Sequence, residues 1–145
     1  MFESLRPVPV ADIDSQEYWE GAKRRELVIK QCQDCRYYIH LPRPQCPRCH
    51  SFNVKGVRVS GRGVVQTFCI VHHILEPGIY PPYVCAIVEL EEQPGLHLLT
   101  NIVNCPPEQV SIAMLVDATF EEIAEGVALP QFQPRRPQEA RNGRP

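Results

Sequence analysis

Two cysteine pairs, Cys32-Gln33-Asp34-Cys35 and Cys46-Pro47-Arg48-Cys49, stand ten residues apart. Two residues between cysteines allow one tight turn that aims both sulfurs at a common point. Two such turns complete a tetrahedral set of thiolates suited to zinc. The interval is shorter than the roughly 15–20 residues of common ribbons, yet long enough for a hairpin that returns the chain. Four protein ligands leave no open coordination position, so Cys32, Cys35, Cys46 and Cys49 are expected to hold a structural Zn2+ that does not activate water. Zinc binding, worth on the order of 10 kcal/mol in isolated fingers, substitutes for a core that so short a segment cannot build.

Upstream, the segment 12–30 reads as helical: Asp14 or Ser15 can cap it, Glu17 sits in its first turn, and Tyr18, Trp19, Ala22 and Leu27 recur at helical spacing. Gly21 weakens its middle and admits two shorter helices. Leu27, Val28 and Ile29 then form a short strand into the first pair. Downstream of Cys49, Val54 to Ser60 is β-prone and Gly61-Arg62-Gly63 makes a bend. Five strand signals follow, at 64–72, 84–90, 96–103, 115–121 and 128–132, separated by turn residues such as Glu76-Pro77-Gly78, Gln93-Pro94-Gly95 and Glu125-Gly126. The expected architecture is mainly β: an N-terminal helical segment (1–31), a rubredoxin-like zinc ribbon (32–56), a separate five-stranded OB-fold barrel (57–134) and a flexible tail (135–145). A small β-sandwich has the same strand count.

The chain has 145 residues, 43% of them hydrophobic and 22% charged, which is globular composition. No run approaches the roughly 18 apolar residues of a membrane span, and charges occupy the N-terminal stretch that a signal peptide keeps apolar. A cytoplasmic protein with no membrane association is expected. Seven cysteines, an odd number with four in close pairs, suit reduced metal-binding thiols better than disulfides. The net charge of −2 conceals a segregation: residues 22–62 carry +8, whereas 63–134 contain nine acids and no Lys or Arg. A basic N-terminal face and an acidic barrel therefore have different jobs.

Of the remaining cysteines, Cys69 and Cys85 fall inside strand patterns, where a thiol ordinarily serves as a small buried hydrophobe. Cys105 would need a base from His72, His73 or His97 to act as a nucleophile. His72 and His73 are adjacent on an expected strand, so their side chains point to opposite faces. Tyr80-Pro81-Pro82-Tyr83 reads as an ordered extended loop.

With these residues laid out, the order resembles a known family: zinc-ribbon plus OB-fold proteins that accompany thiolase-superfamily enzymes, long labelled a domain of unknown function. The likeness runs from Tyr18 to Pro134. It is carried by Tyr18-Trp19, Leu27 to Lys30 before Cys32, Pro42-Arg43-Pro44 before Cys46, Ser60-Gly61-Arg62-Gly63, Pro82-Tyr83-Val84, Val88-Glu89-Leu90, Leu99 to Val103 and Leu129-Pro130-Gln131-Phe132. The chain departs where the family has Gly after the second and fourth cysteines, here Arg36 and His50, and often Gly at the position of Ala113.

The resemblance implies a non-catalytic zinc-binding accessory subunit. Its hetero-oligomeric partner, a thiolase-like protein, would carry the catalytic groups and act on a coenzyme A thioester by ketoacyl-CoA thiolysis or retro-aldol cleavage, as in aromatic or steroid degradation. Arg43, Arg48, Lys55 and Arg62 are candidates to meet coenzyme A phosphates or an acidic partner surface. The alternative is a nucleic-acid-binding zinc-ribbon/OB protein. Seventy-two barrel residues, 63–134, without a single Lys or Arg make the wrong field for a phosphate backbone. A third possibility is an enzyme in its own right, built on Cys105 or a histidine.

Overall fold

The structure, a computed structural model, describes residues 6–136. A helix, α1 (Gln16–Lys23), leads into a three-stranded antiparallel sheet of β1 (Val28–Cys32), β2 (Tyr38–Ile39) and β3 (Val54–Arg58), with β1 in the middle. Five further strands follow: β4 (Arg62–Val71), β5 (Tyr83–Leu90), β6 (His97–Ile102), β7 (Leu115–Ala124) and β8 (Val127–Pro134). They close a barrel in the order β4-β5-β6-β8-β7, with a 3-10 turn at Pro107–Gln109 between β6 and β7. Four of the seams are antiparallel, and β6 meets β8 in parallel through Ile102 and Phe132. Closure is the OB-fold solution to exposed sheet edges, and it excludes the sandwich.

The expected helix over 12–30 is realised only as α1. It ends because Arg25 turns left-handed (φ 60°): its amide donates to the carbonyl of Ala22, and the Glu26 amide donates to that of Gly21, both at 2.9 Å. That is a Schellman ending with arginine in place of the usual glycine. At the other end Ser15 makes no side-chain cap to the helix; it exchanges hydrogen bonds with Asp12, its amide donating to Asp12 Oδ1 at 2.7 Å and the Asp12 amide to Ser15 Oγ at 3.0 Å. Gly21 does not divide the helix. A Cβ there would overlap Val28 Cγ2, so glycine lets α1 lie directly on β1.

β5 shows why the barrel forms: Val84, Ala86, Val88 and Leu90 point inward and are buried, alternating with half-exposed residues. They pack with Val65, Leu98, Val116 and Phe132, and Leu27, Ile29 and Val59 join the same cluster. The ribbon sheet and the barrel thus share a core, although they were expected as separate units. The Val59 amide donates to the Leu27 carbonyl at 2.9 Å, and the Gln93 side chain bridges the Tyr38 backbone, accepting from its amide at 2.9 Å and donating to its carbonyl at 3.1 Å. β4 stops at Val71, so His72 and His73 lie beyond the strand and the expected alternation does not apply to them.

Of the expected tail, residues 137–145 lie outside the described residues. Arg135 is anchored by ion pairs to Asp117 (2.9 Å) and Glu91 (3.3 Å). Among the described residues no helix is long and apolar enough to cross a membrane.

Candidate functional site

Cys32 closes β1, and its amide donates to the Tyr37 carbonyl at 2.9 Å, while the Cys46 amide donates to the Ser51 carbonyl at 2.8 Å. In each turn the amide of the residue after the second cysteine, Arg36 or His50, donates back to the carbonyl of the first at 2.9 Å. Both residues are left-handed, with φ 65° and 63°, a region in which glycine would sit without strain. Asp34 ties the two turns together, its carboxylate accepting from the Ser51 hydroxyl and, at 3.2 Å, from Asn53 Nδ2.

The result brings all four sulfurs within 4.8 Å of one another. Cys32 and Cys49 are 3.5 Å apart, and Cys35 and Cys46 3.6 Å. A tetrahedral zinc with Zn–S bonds of about 2.3 Å sets its sulfurs about 3.8 Å apart, so the donor set fits the ion. The Arg48 amide points at Cys46 Sγ from 3.4 Å, a contact that favours thiolate. As bare thiols the four cannot ionise together. Hydrogen bonding from the Cys35 amide draws Cys32 down to about 7. Cys49, despite an N–H from Ser51, is pushed up to about 12 by burial and by its sulfur neighbours. A divalent cation resolves that conflict. Among the described residues, the apolar side chains that cluster with the sulfurs are Ile39, Tyr37 and Val54, a core too small to hold itself.

The four basic candidates do not form one cluster. Arg48 sits 6.0 Å from the Tyr37 ring centroid in cation–π geometry, and Arg43 lines a hollow beside Tyr37 and Pro47. Lys55 is exposed on β3, opposite Gln31 of β1. Arg62, at the start of β4, is paired with Glu91 at 3.3 Å.

A second feature lies where α1, the turn after β2 and the outer face of β5–β6 meet. Tyr18, Trp19, His40, Leu41, Ile87, His97 and Leu99 line an apolar groove of about 490 Å³. Leu41 and Leu99 are 74% and 76% exposed, a large apolar presentation for a water-facing surface. Tyr18 stacks edge-on against Trp19 (centroids 5.0 Å) and tilts against His40 (5.8 Å). Burial raises the Tyr18 phenol to about 12 and lowers His40 below its ordinary value. The groove was not foreseen: its residues come from four distant segments, and the Tyr18-Trp19 pair was the one signal that pointed to it.

Cys69 and Cys85 are not buried hydrophobes. They face each other across β4 and β5 on the outer surface of the barrel, Cys69 exposed and Cys85 half-buried. Cys105 is half-buried, its thiol pushed up by burial.

Residues 19–55 match the family model described as the ChsH2 rubredoxin-like zinc ribbon domain, and 56–121 match that of the ChsH2 C-terminal OB-fold domain. A DUF35 domain-containing scaffold protein of Methanocaldococcus jannaschii is 37% identical over 112 residues, covering 74% of this chain and 77% of that protein. A probable enoyl-CoA hydratase alpha subunit of Thermomonospora curvata is 39% identical over 137 residues, covering 94% of this chain. The 3-oxo-4,17-pregnadiene-20-carboxyl-CoA hydratase alpha subunit of Mycobacterium tuberculosis is 36% identical over 112 residues, or 77% of this chain. The chain spans 42% and 35% of the length of those two hydratase subunits. Among solved structures, a chain of the Ltp2–ChsH2(DUF35) aldolase superposes with a TM-score of 0.80 at 38% identity, covering 87% of this chain and 98% of that one. The chain belongs to the ChsH2-like DUF35 family of proteins, a rubredoxin-like zinc ribbon followed by an OB-fold barrel.

Proposed function

We propose that this chain is a non-catalytic, zinc-stabilised subunit that docks on a thiolase-like protein and helps it act on a coenzyme A thioester, by retro-aldol cleavage or ketoacyl-CoA thiolysis. The observation that carries the reading is the near-complete match to the DUF35 chain of an aldolase. Two features of this molecule support it. The groove of Trp19, Leu41, Ile87 and Leu99 offers an exposed apolar surface of the kind that protein partners cover. The basic ribbon, with Arg43 and Arg48 beside Tyr37, offers cations to a nucleotide phosphate. Cys32, Cys35, Cys46 and Cys49 are assigned to the zinc, which supplies structure and no open coordination position. A reducing cytoplasm is the compartment that keeps such thiolates available for metal.

The test is an affinity pull-down of the tagged chain from its native cells at moderate salt, followed by assay of the captured complex on acyl-CoA substrates. A thiolase-like protein whose thiolysis or lyase activity rises when this chain is added supports the reading. The double variant L41E/L99E should then fold normally and lose both capture and stimulation. Salt-sensitive capture of single-stranded nucleic acid with no such protein would transfer the chain to the nucleic-acid class.

A further inference from the structure

In the antiparallel pairing of β4 and β5, Cys69 is the direct partner of Cys85. Directly opposed residues have Cα atoms about 4.5 to 5.5 Å apart, inside the range of about 4.4 to 6.8 Å that a disulfide spans. Both side chains lie on the outer face, since β5 turns Val84, Ala86 and Val88 inward and leaves Tyr83, Cys85 and Ile87 outward. Neither is among the four zinc-site sulfurs, and burial, together with the neighbouring Cys69, raises the Cys85 thiol.

The position of the pair matters more than its presence. Cys69 lies two residues before the end of β4 and Cys85 two residues after the start of β5, so a bond between them lies just below the 72–82 loop and reinforces the Ile70–Val84 and Val71–Tyr83 pairs at its base. That loop holds Ile74, Leu75 and Tyr80 in the open, 66%, 68% and 73% exposed. We propose that Cys69 and Cys85 form a reversible thiol–disulfide modification site, oxidised by a low-molecular-weight disulfide, which clamps the base of this apolar loop.

The chemistry balances as two exchanges. The exposed Cys69 thiolate attacks one sulfur of the small disulfide, forming a mixed disulfide and releasing one small thiolate. Cys85, deprotonated as it attacks, then displaces the second small thiolate from Cys69. The protein loses two protons and two electrons, and the small disulfide takes them up to become two thiols. No Lys or Arg stands within the sequence from 63 to 134 that holds both cysteines, and the pair is read as equilibrating slowly with a thiol pool, not as a rapid catalyst.

The experiment titrates the zinc-loaded full chain with oxidised glutathione, blocks the remaining thiols and maps the peptides. The expected result is a Cys69–Cys85 cross-link with zinc retained, a raised Tm, and slower chymotryptic cleavage at Leu75 and Tyr80. C85S should instead accumulate the glutathione adduct on Cys69. Stable adducts on both cysteines of the unaltered chain without an internal bond, or oxidation only with release of zinc, would overturn the site. A cross-link that leaves loop cleavage unchanged would overturn the clamp.

Discussion

Arg36 and His50 are conformational twins: each follows the second cysteine of its pair, each is left-handed at φ near 64°, at 65° and 63°, and each donates its amide to the first cysteine's carbonyl at 2.9 Å. A side chain in that region costs on the order of 1 kcal/mol or more that glycine avoids, offset in part by glycine's freer unfolded chain. R36G and H50G should each stabilise the zinc-loaded chain by about 1 kcal/mol. Thermal melts at saturating zinc would show it; a fall in Tm for R36G would mean that the Arg36 side-chain contact with Gln33 outweighs the strain, whereas H50G keeps the His50 carbonyl that accepts from Gln45, and a fall there would refute the strain account.

Zinc should be inseparable from the ribbon's fold. Cys46 is fully buried with only Ile39, Cys32 and a few half-buried side chains around it, so C46S or prolonged chelation leaves too little apolar contact to hold the turns. Metal analysis is expected to find a single zinc in the native chain and none in the variant. Cobalt exchange should give the absorption of a tetrahedral tetrathiolate. Retained ribbon amide protection after complete metal loss would refute the structural assignment.

Acid should weaken the packing of α1 on the turn after β2. His40 is lowered from 6.5 by burial, so the folded state prefers it neutral. Its contribution is fully present above about 6.5, the unfolded value, and is lost as pH falls through the lower folded value. At saturating zinc, H40F should flatten this part of the stability–pH curve. An unchanged slope between pH 7 and 5 would show that other groups set it.

Gly21 should resist replacement even though alanine is the better helix former by about 1 kcal/mol. Its Cβ would overlap Val28 Cγ2 and come within 3.0 Å of the Glu26 carbonyl oxygen, both on well-held elements. Net destabilisation of about 1–3 kcal/mol is expected for G21A in denaturant titrations. A stabilised variant would mean that the helix shifts freely on β1.

Local signals suffice where the physics is local. Strand β7 runs three residues past the expected Glu121, to Ala124, because its partner β8 continues to pair with it through Val127. The end of α1 was misread because a left-handed arginine leaves none of the marks that glycine does, and Leu27 fits a helical face as well as the start of β1. Cys69 and Cys85 were misread because an apolar neighbourhood in sequence says nothing of which face of a barrel strand a residue takes.

The cysteine spacing, the turn residues and the alternation of apolar side chains were enough to place a metal ribbon ahead of five short strands, since each depends on residues within a few positions of one another. The core shared by Leu27, Val59 and Phe132, the Tyr18–His40–Leu99 groove and the Cys69–Cys85 pairing belong to the tertiary structure alone. Each joins segments tens of residues apart, and what brings them together is the burial of the whole apolar set at once, which no local pattern encodes.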